Sequence, residues 1–253
     1  MKIQQIRNAT IIIEYAGKRF LVDPMLGGKG SFAPFPFSHH QKLRNPLHDL
    51  PMKAEDIVHN IDCVLLTHLH LDHIDDAAYK LLSKSVHIFV QDEQDRNTVL
   101  SHGFTHVEII GEDSRFDDIR LSKTESQHGH WWMLPAAGHT CGYVLRHETE
   151  PVCYLAGDTI WYCGVRRNID RWSPQVIIVN AGGNKFHLGG HVIMHIPDVL
   201  KAMDYAPAAT FVATHLEGVN HNQVTRVALR EEVMKCGKAD RIHIPEDGEI
   251  VEL

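Results

Sequence analysis

Short apolar runs separated by tight turns mark the N-terminal part of the chain. Residues 3–6, 11–15 and 19–23 are rich in isoleucine and aromatic residues, and Ala16-Gly17-Lys18 separates the last two runs. β-branched and aromatic runs of this length, bounded by turn residues, are typical of strands. The pattern therefore predicts an antiparallel start to the domain.

From residue 61 onwards, short β-branched runs alternate with helical segments. Strands are predicted over 61–67, 87–90, 106–110, 119–127, 142–146, 152–156, 176–180 and 211–214, and helices over 75–83, 92–102 and 228–236. A further helix is predicted before each of the last two strands, the second opening at Pro197. The runs at 142–146 and 152–156 are predicted to form a hairpin, and a final hairpin is predicted to turn at Glu246-Asp247-Gly248. This alternation, without a linker-like break, predicts one α/β domain over 1–253, with helices outside two sheets.

Residues 26–51, called the flap below, interrupt this pattern. The segment is rich in Gly, Pro, Phe and His and has no periodicity. Long irregular stretches inside a compact domain are uncommon and are usually functional or disordered. The aromatic residues favour an ordered active-site flap, and a surface loop without a role is the alternative.

The composition excludes several classes of protein. The chain has 253 residues, 43% of them hydrophobic, and a formal net charge of −7. That hydrophobic content is typical of a globular protein, not of a disordered one. The negative charge disfavours nucleic-acid binding, which usually needs a basic surface. The 20 histidines are unusual, and histidine is the commonest protein metal ligand.

Cysteine usage and the N-terminus predict a cytoplasmic location. The five cysteines include no C-x-x-C pair, which fits reduced thiols better than a disulfide framework. The sequence opening MKIQQIRNATIIIEYAG lacks the features of a signal peptide. No apolar run approaches the roughly 18 residues of a membrane helix, so we expect no membrane association.

The most specific motif is Thr67-His68-Leu69-His70-Leu71-Asp72-His73, which follows an apolar strand. Side chains alternate in extended chain, so His68 and His70 point the same way. A turn into the helix near residue 75 lets Asp72 and His73 approach from another side. These four side chains are expected to form half of a two-metal site.

Three residues elsewhere are candidates for the remaining ligands. His128, Asp158 and His215 each follow a predicted strand, and Asp158 is preceded by Gly157, which permits close backbone approach. Strand ends on one rim are where α/β folds usually build their sites. We therefore expect these side chains to complete the site.

Together these motifs resemble those of metallo-β-lactamase-fold metal-dependent hydrolases. The resemblance extends over the whole chain, through the segments 21–24, 67–73, 127–129, 157–159 and 214–215. The segments 44–47 and 217–221 are similar to the branch that includes the ascorbate-phosphate lactonase-like proteins. This resemblance implies a four-layer αββα sandwich.

The resemblance also implies which residues hold metal. His68, His70 and His128 would bind one divalent ion, Asp72, His73 and His215 a second, and Asp158 would bridge the two. Imidazole and carboxylate ligands favour Zn²⁺, with Mn²⁺ or Fe²⁺ as alternatives. Asp72 and Asp158 are the candidate catalytic residues. No ligand position carries the cysteine found in some true β-lactamases, which disfavours antibiotic hydrolysis.

Residues around the site are assigned less directly. Lys185, His187, His191 and His221 are candidates for substrate binding, and Phe35, Phe37, Trp131 and Trp132 are candidates for the wall of the pocket. Surface positions or core packing are the alternatives for these residues. Asp23 is either the hydrogen-bond partner of a ligating histidine or a turn residue before Pro24.

The expected function is hydrolysis of a small, anionic ester or lactone by a metal-bound hydroxide. A metal-dependent phosphodiesterase is the alternative within enzymes, and a metal-binding protein without turnover is the more remote one. The expected partner is a small-molecule substrate. A homo-oligomer is compatible with the sequence, which has no feature that selects one.

Overall fold

The computed structural model describes residues 1–132 and 138–253. Its strands are β1 (Lys2–Arg7), β2 (Thr10–Tyr15), β3 (Lys18–Val22), β4 (Cys63–Leu65), β5 (His87–Val90), β6 (His106–Ile109), β7 (Ser114–Phe116), β8 (Ile119–Glu125), β9 (Cys141–His147), β10 (Glu150–Leu155), β11 (Val176–Asn180), β12 (Lys185–Phe186), β13 (Gly190–His191), β14 (Thr210–Thr214), β15 (Ile242–His243) and β16 (Ile250–Glu252). Its helices are α1 (Ala54–Val58), α2 (Asp76–Leu81), α3 (Glu93–Ser101), α4 (Cys163–Trp172), α5 (Ile196–Tyr205) and α6 (Arg226–Lys235), with a 3₁₀ turn at Ala239–Arg241.

Two seven-stranded sheets contain nearly all the strands. The first has the order β16-β1-β2-β3-β4-β5-β6, and the second β15-β14-β11-β10-β9-β8-β7. Strands β1 to β3 are antiparallel, as predicted, and β3 to β6 are parallel. The predicted hairpin of β9 and β10 is confirmed.

The helices lie outside the two sheets and the main core lies between them. Side chains from both inner faces, among them Phe20 and Tyr143, form one fully buried cluster. Burial of each such aromatic side chain stabilises the fold by about 1.5–3 kcal/mol. A second cluster packs the outer face of the first sheet against α1 to α3, and a third packs the second sheet against α4 to α6. The predicted four-layer αββα sandwich is therefore confirmed.

The predicted C-terminal hairpin is wrong. Strand β15 pairs in parallel with β14 in the second sheet, whereas β16 pairs antiparallel to β1 in the first. Between them the chain crosses to the first sheet, where Gly248 N–H donates to Gln5 O at 2.7 Å and Gln5 N–H donates to Glu249 O at 2.9 Å. The turn reverses the chain, but β1 is the partner of the last strand, and Val251 is buried opposite Ile3.

The flap is held in place without regular secondary structure. Buried Arg7 donates to the carbonyls of Met25 at 2.7 Å, Gly27 at 2.8 Å and His48 at 2.9 Å, at the two ends of the segment. A single β-bridge joins Phe32 to Asn45 within it. These contacts fix the flap above the strand ends described next.

The carboxyl ends of strands from both sheets meet at one edge of the sandwich. In the first sheet, Asp23 follows β3 and the 67–73 motif follows β4; in the second, Asp158 follows β10 and His215 follows β14. Across residues 1–132 and 138–253, none of the helices has the length and apolarity needed to cross a bilayer.

Candidate metal centre

The structure brings all seven predicted ligands into one cluster. Three overlapping groups have ligand atoms within 4.8 Å of one another: His68, His70 and His128; His68, His73 and Asp158; and Asp72, His73 and His215. The side chains are buried except His70, which is partly buried. Asp158 lies near residues of both predicted ligand sets, with one carboxylate oxygen 4.0 Å from His68 Nε2 and the other 3.7 Å from His215 Nε2.

The potential ligand atoms face one another at short distances. His68 Nε2 lies 2.9 Å from His70 Nδ1, and His73 Nε2 lies 3.2 Å from His215 Nε2. Asp72 places a carboxylate oxygen 3.4 Å from His215 Nε2. Nitrogen and oxygen lone pairs therefore converge on a small buried volume.

The backbone has positive φ values beside Asp158 and at His215. Gly157 has φ +67°, and a Cβ there would lie 2.5 Å from the carbonyl oxygen of Cys141, so this position requires glycine. His215 itself has φ +61°, a conformation that is uncommon for residues with a side chain. Such strain is found most often at functional sites.

Hydrogen bonds orient two of the candidate ligands, His73 and His128. The Asp23 carboxylate lies 2.8 Å from His73 Nδ1 and accepts from Thr67 N–H and Thr67 Oγ1 at 2.8 and 2.7 Å. His128 Nδ1 lies 3.0 Å from the carbonyl oxygen of Val192. A ligating histidine commonly donates its other ring N–H to a carboxylate or carbonyl, which fixes the tautomer and the ring orientation. Asp23 is therefore the partner of His73, which settles the alternative left open by the sequence.

Burial and neighbouring charges set the protonation of the cluster. Burial, together with nearby histidines, lowers the pKa of His68 well below its usual value and that of His70 to about 4. Burial alone would raise the pKa of Asp158, but His73 and His215 hold it well below its usual range. The neutral rings of His68 and His70 offer free lone pairs to a metal ion. Burial would lower the pKa of His73, but Asp158 and Asp23 raise it well above its usual value, so a metal ion that binds His73 would displace a proton.

The residues therefore fit a metal centre. Converging imidazole and carboxylate groups in a buried site are a donor set suited to Zn²⁺, Mn²⁺ or Fe²⁺. The Nδ1 atom of His215 is buried and has no hydrogen-bond partner among the described residues, and its Nε2 faces the cluster. The cluster is able to bind metal.

A cavity of about 520 Å³ opens onto this cluster. Its base contains His70, Asp72, His128, Asp158 and His221, and its wall contains Phe35, Pro36, Phe37, Phe186 and Leu188. Phe37 and Leu188 are each 78% exposed, which places them at the mouth. The flap thus supplies much of the apolar wall.

The four predicted substrate residues lie in different places. His221 is buried and lines the cavity. Lys185 and His191 pair with each other in β12 and β13, and His187 is exposed beside them. Phe35 and Phe37 line the cavity as predicted, whereas Trp131 and Trp132 are exposed and are not among the described residues that line it.

Sequence analysis missed several residues that support the site. Phe186 and Leu188 line the cavity, and Asn180 donates to Asp158 at 2.5 Å. Asn180 is the last residue of β11, and a polar residue ending a buried strand is the signal that could have identified it. A chain of hydrogen bonds through Asn184 and Asn222 to His221 has no comparable signal in the sequence.

The fold and this centre define the class of protein. The family model described as "Beta-lactamase superfamily domain" matches residues 18–216. The UPF0173 protein YddR of Bacillus subtilis is 42% identical over 250 residues, covering 98% of each chain. The isothiocyanate hydrolase from Delia radicum gut bacteria has a TM-score of 0.96 and 38% identity, covering 100% of this chain and 99% of that one. A possible metal-dependent hydrolase from Veillonella parvula has a TM-score of 0.97 and 34% identity, covering 100% and 99%.

The chain belongs to the UPF0173 family of the metallo-β-lactamase superfamily. The prediction of a metal-dependent hydrolase of this superfamily is confirmed. The resemblance to the ascorbate-phosphate lactonase-like branch is not confirmed by these relatives.

Proposed function

We propose that this protein hydrolyses a small, uncharged electrophile that carries an apolar group, with isothiocyanates as the first class and carboxylic esters or lactones as the second. The observation that carries this proposal is the aromatic cavity, which opens directly onto the histidine and aspartate cluster. An apolar pocket with a few convergent polar groups is the usual form of a small-molecule site.

The cluster would hold two divalent ions, with zinc as the first candidate. His68, His70 and His128 would bind one, Asp72, His73 and His215 the other, with Asp158 between them. When bound, such ions supply Lewis acidity that activates water and polarises the electrophilic carbon. The two carboxylates offset part of the positive charge that the ions bring into a buried site.

The apolar wall disfavours an anionic substrate. Among the described residues that line the cavity there is no lysine or arginine, and Lys185 is not in its wall. An anionic substituent held against this wall would lose its hydration without gaining a cationic side chain, whereas an anionic reacting group would face the metal ions at the base. This argument replaces the anionic ester expected from the sequence with an uncharged one. The phosphodiesterase, whose phosphate would face the metal ions, remains the alternative that the assay below distinguishes.

The similarity to an isothiocyanate hydrolase supports testing that class first. In this reaction the oxygen of water bonds to the central carbon of R–N=C=S and the carbon–nitrogen bond breaks. The nitrogen takes both protons and leaves as R–NH₂, and the other product is carbonyl sulfide. The apolar wall would hold R, while the polar base of the cavity would face the reacting carbon.

The chain's own carboxylates have distinct tasks in this proposal. Burial alone would raise the pKa of Asp72, but His73 and His215 hold it well below its usual range, so it is ionised at neutral pH. Its ionised carboxylate borders the cavity and can accept a hydrogen bond from water, which would orient that water toward the substrate. Asp158 is fixed by Asn180, which suits it to hold the two halves of the cluster at a constant separation.

The test compares matched substrates that differ in charge. Metal-loaded protein is assayed with benzyl isothiocyanate and 4-carboxybenzyl isothiocyanate, with phenyl acetate and 4-carboxyphenyl acetate, and with bis(4-nitrophenyl) phosphate. We expect chelator-sensitive turnover of the uncharged compound in each pair and a kcat/KM at least tenfold lower for its carboxylated partner. Phe186→Ala is expected to raise KM for the uncharged substrates, with Phe116→Ala, in the core away from the cavity, as the control.

Preference for the carboxylated compounds would contradict the uncharged substrate. Turnover of the phosphodiester alone would support the alternative function, a metal-dependent phosphodiesterase. Turnover that survives complete removal of metal would contradict the assignment of the cluster.

A further inference from the structure

A chain of amide groups fixes the orientation of two asparagine side chains beneath the cavity. The backbone N–H of Val219 donates to Asn222 Oδ1 at 2.8 Å, which identifies the other end of that amide as the donor. Asn222 Nδ2 then donates to the carbonyl oxygen of His215 at 3.1 Å and to Asn184 Oδ1. A backbone N–H cannot act as an acceptor, so this chain of hydrogen bonds has one direction only.

The same chain fixes the tautomer of His221. Since Asn184 Oδ1 accepts from Asn222, the donor Nδ2 of Asn184 faces His221 Nε2, at 3.1 Å. The Nε2 atom must therefore accept, and a neutral imidazole that accepts at Nε2 carries its hydrogen on Nδ1. Burial lowers the pKa of His221 to about 3, which keeps the ring neutral at pH 7.

The Nδ1–H group has no acceptor within the protein as described. The His221 side chain is 4% exposed and lines the cavity, with ring centroids of Phe35 and Phe186 at 4.5 and 5.3 Å. Its Nδ1 is buried and finds no hydrogen-bond partner among residues 1–132 and 138–253. Buried donors are nearly always satisfied, so a donor that lines a cavity and has no acceptor among the described residues points to an acceptor on a molecule bound in that cavity.

We propose that the Nδ1–H of His221 donates a hydrogen bond to an uncharged acceptor atom of the bound substrate. This inference rests on the proposed function, which places the substrate in the cavity. The acceptor would be the carbonyl oxygen of an ester or lactone, or the nitrogen or sulfur of an isothiocyanate. Because the ring is neutral, His221 orients the acceptor without adding a positive charge to the apolar part of the cavity, and the two phenylalanines hold the ring.

The tautomer is tested by nitrogen-15 NMR of histidine-labelled, metal-loaded protein. The His221 signals are identified by their loss in His221→Phe, which keeps a ring between the two phenylalanines. We expect a protonated Nδ1 and an unprotonated Nε2 in the wild type. In Asn184→Asp the donor facing Nε2 is lost, and we expect the proton to be found on Nε2. A wild-type ring protonated at Nε2 would overturn the inference.

The hydrogen bond is tested by the binding of two unreactive probes. N-Benzylacetamide has a carbonyl acceptor beside an aromatic ring, and n-propylbenzene has the ring alone. We expect His221→Phe to weaken binding of the amide by about tenfold, the scale of one net hydrogen bond, and to leave n-propylbenzene unchanged. Asn184→Asp should also weaken binding of the amide selectively. His106→Phe, at an exposed position of β6 outside the cavity wall, should change the binding of neither probe.

The outcomes separate this inference from the proposed function. Equal weakening of both probes by His221→Phe would show that the ring only packs, and would overturn the inference alone. Binding of neither probe to the wild type would overturn the apolar substrate cavity and the inference with it. Selective loss of the amide, together with an Nδ1–H resonance that shifts when the amide binds, supports both.

Discussion

Asp23 contacts His73 from a backbone conformation with φ +44°, immediately after strand β3. The residue is buried, and its two oxygens are shared between His73 and Thr67 at the start of the ligand motif. Asp23 therefore links the end of strand β3 to the candidate ligands that follow strand β4. Partners of this kind keep a ligating ring in one orientation.

We expect Asp23→Asn to weaken metal binding by about 10- to 100-fold, because the amide is a poorer acceptor and leaves His73 less basic. Metal affinity measured by competition with a chelator tests this. Asp118→Asn is the matched control, since Asp118 contacts His147 Nε2 at 3.0 Å in an exposed pair away from the centre. Equal metal affinity in both variants would contradict a role for Asp23 in the centre.

At the residue scale, the sequence predicts the candidate metal ligands better than it predicts the residues that position side chains around the site through hydrogen bonds. The candidate ligands His68, Asp158 and His215 come within three residues of a strand end, so the strand pattern and the residue type are enough to select them. Asn184 and Asn222 act through hydrogen bonds to residues far along the chain, and their roles depend on which amide end faces which neighbour. Such directions are set by the folded geometry and leave no pattern in the sequence.

One buried side chain, that of Asn220, makes most of the hydrogen bonds between the flap and the segment that carries His221; Leu47 N–H also donates to Gly218 O at 2.9 Å. Asn220 accepts from Phe35 N–H and from Asn45 Nδ2, both at 2.9 Å, and donates to Ser38 Oγ at 2.9 Å and His39 O at 2.8 Å. Every hydrogen-bonding atom of this amide therefore holds flap residues. Because Phe35 lines the cavity, the position of the apolar wall depends on Asn220.

We expect Asn220→Ala to loosen the flap, because it removes four hydrogen bonds and leaves buried partners unpaired, at a cost of about 1–3 kcal/mol for each group left unsatisfied. Amide hydrogen exchange at Phe35 should accelerate, and KM for an apolar substrate should rise more than kcat falls. Arg44→Ala is the control, since Arg44 donates to Gly30 O and Ser31 O from an exposed position in the same segment. Unchanged exchange at Phe35 in Asn220→Ala would contradict this role.

At the scale of elements, local sequence patterns are sufficient to locate the strands but insufficient to predict which strands pair with each other. Short apolar runs bounded by turn residues placed the central strands within a few residues of their observed bounds, because strands such as β4 and β11 are buried on both faces and therefore carry continuous apolar sequence. The final hairpin was wrong because strand pairing is a long-range choice: β16 joins β1 at the opposite end of the chain. Short helix α1 was not predicted, and only Ile57 of its five residues is buried.

For the whole molecule, the centre connects the two sheets. Each of the three ligand groups combines residues that follow β4 in the first sheet with at least one from the second, namely His128, Asp158 or His215. Metal that binds these groups therefore stabilises the contact between the two halves of the sandwich. Ligands that bind only the folded state raise its stability by mass action.

We expect chelation to lower the melting temperature of the protein in a single transition. Free metal at about 100 times its Kd stabilises the folded state by about 2.7 kcal/mol, which corresponds to roughly 5–10 °C for a chain of this size. His73→Ala should abolish the metal-dependent shift. His191→Ala should retain it, because His191 faces the carbonyl oxygen of Gly183 and belongs to none of the three groups. A melting temperature independent of metal content would contradict this link between sheets.

The distribution of the ligands along the chain has a consequence for protein synthesis. The motif at 67–73 leaves the ribosome early, but none of the three ligand groups can be completed until His128, Asp158 or His215 has followed and the second sheet has begun to form. The first sheet also lacks its edge strand β16 until the last residues are made. We therefore expect the His68, His70 and His128 group to be complete about halfway through synthesis, and the Asp72, His73 and His215 group only after residue 215, so that two ions would be captured in a fixed order.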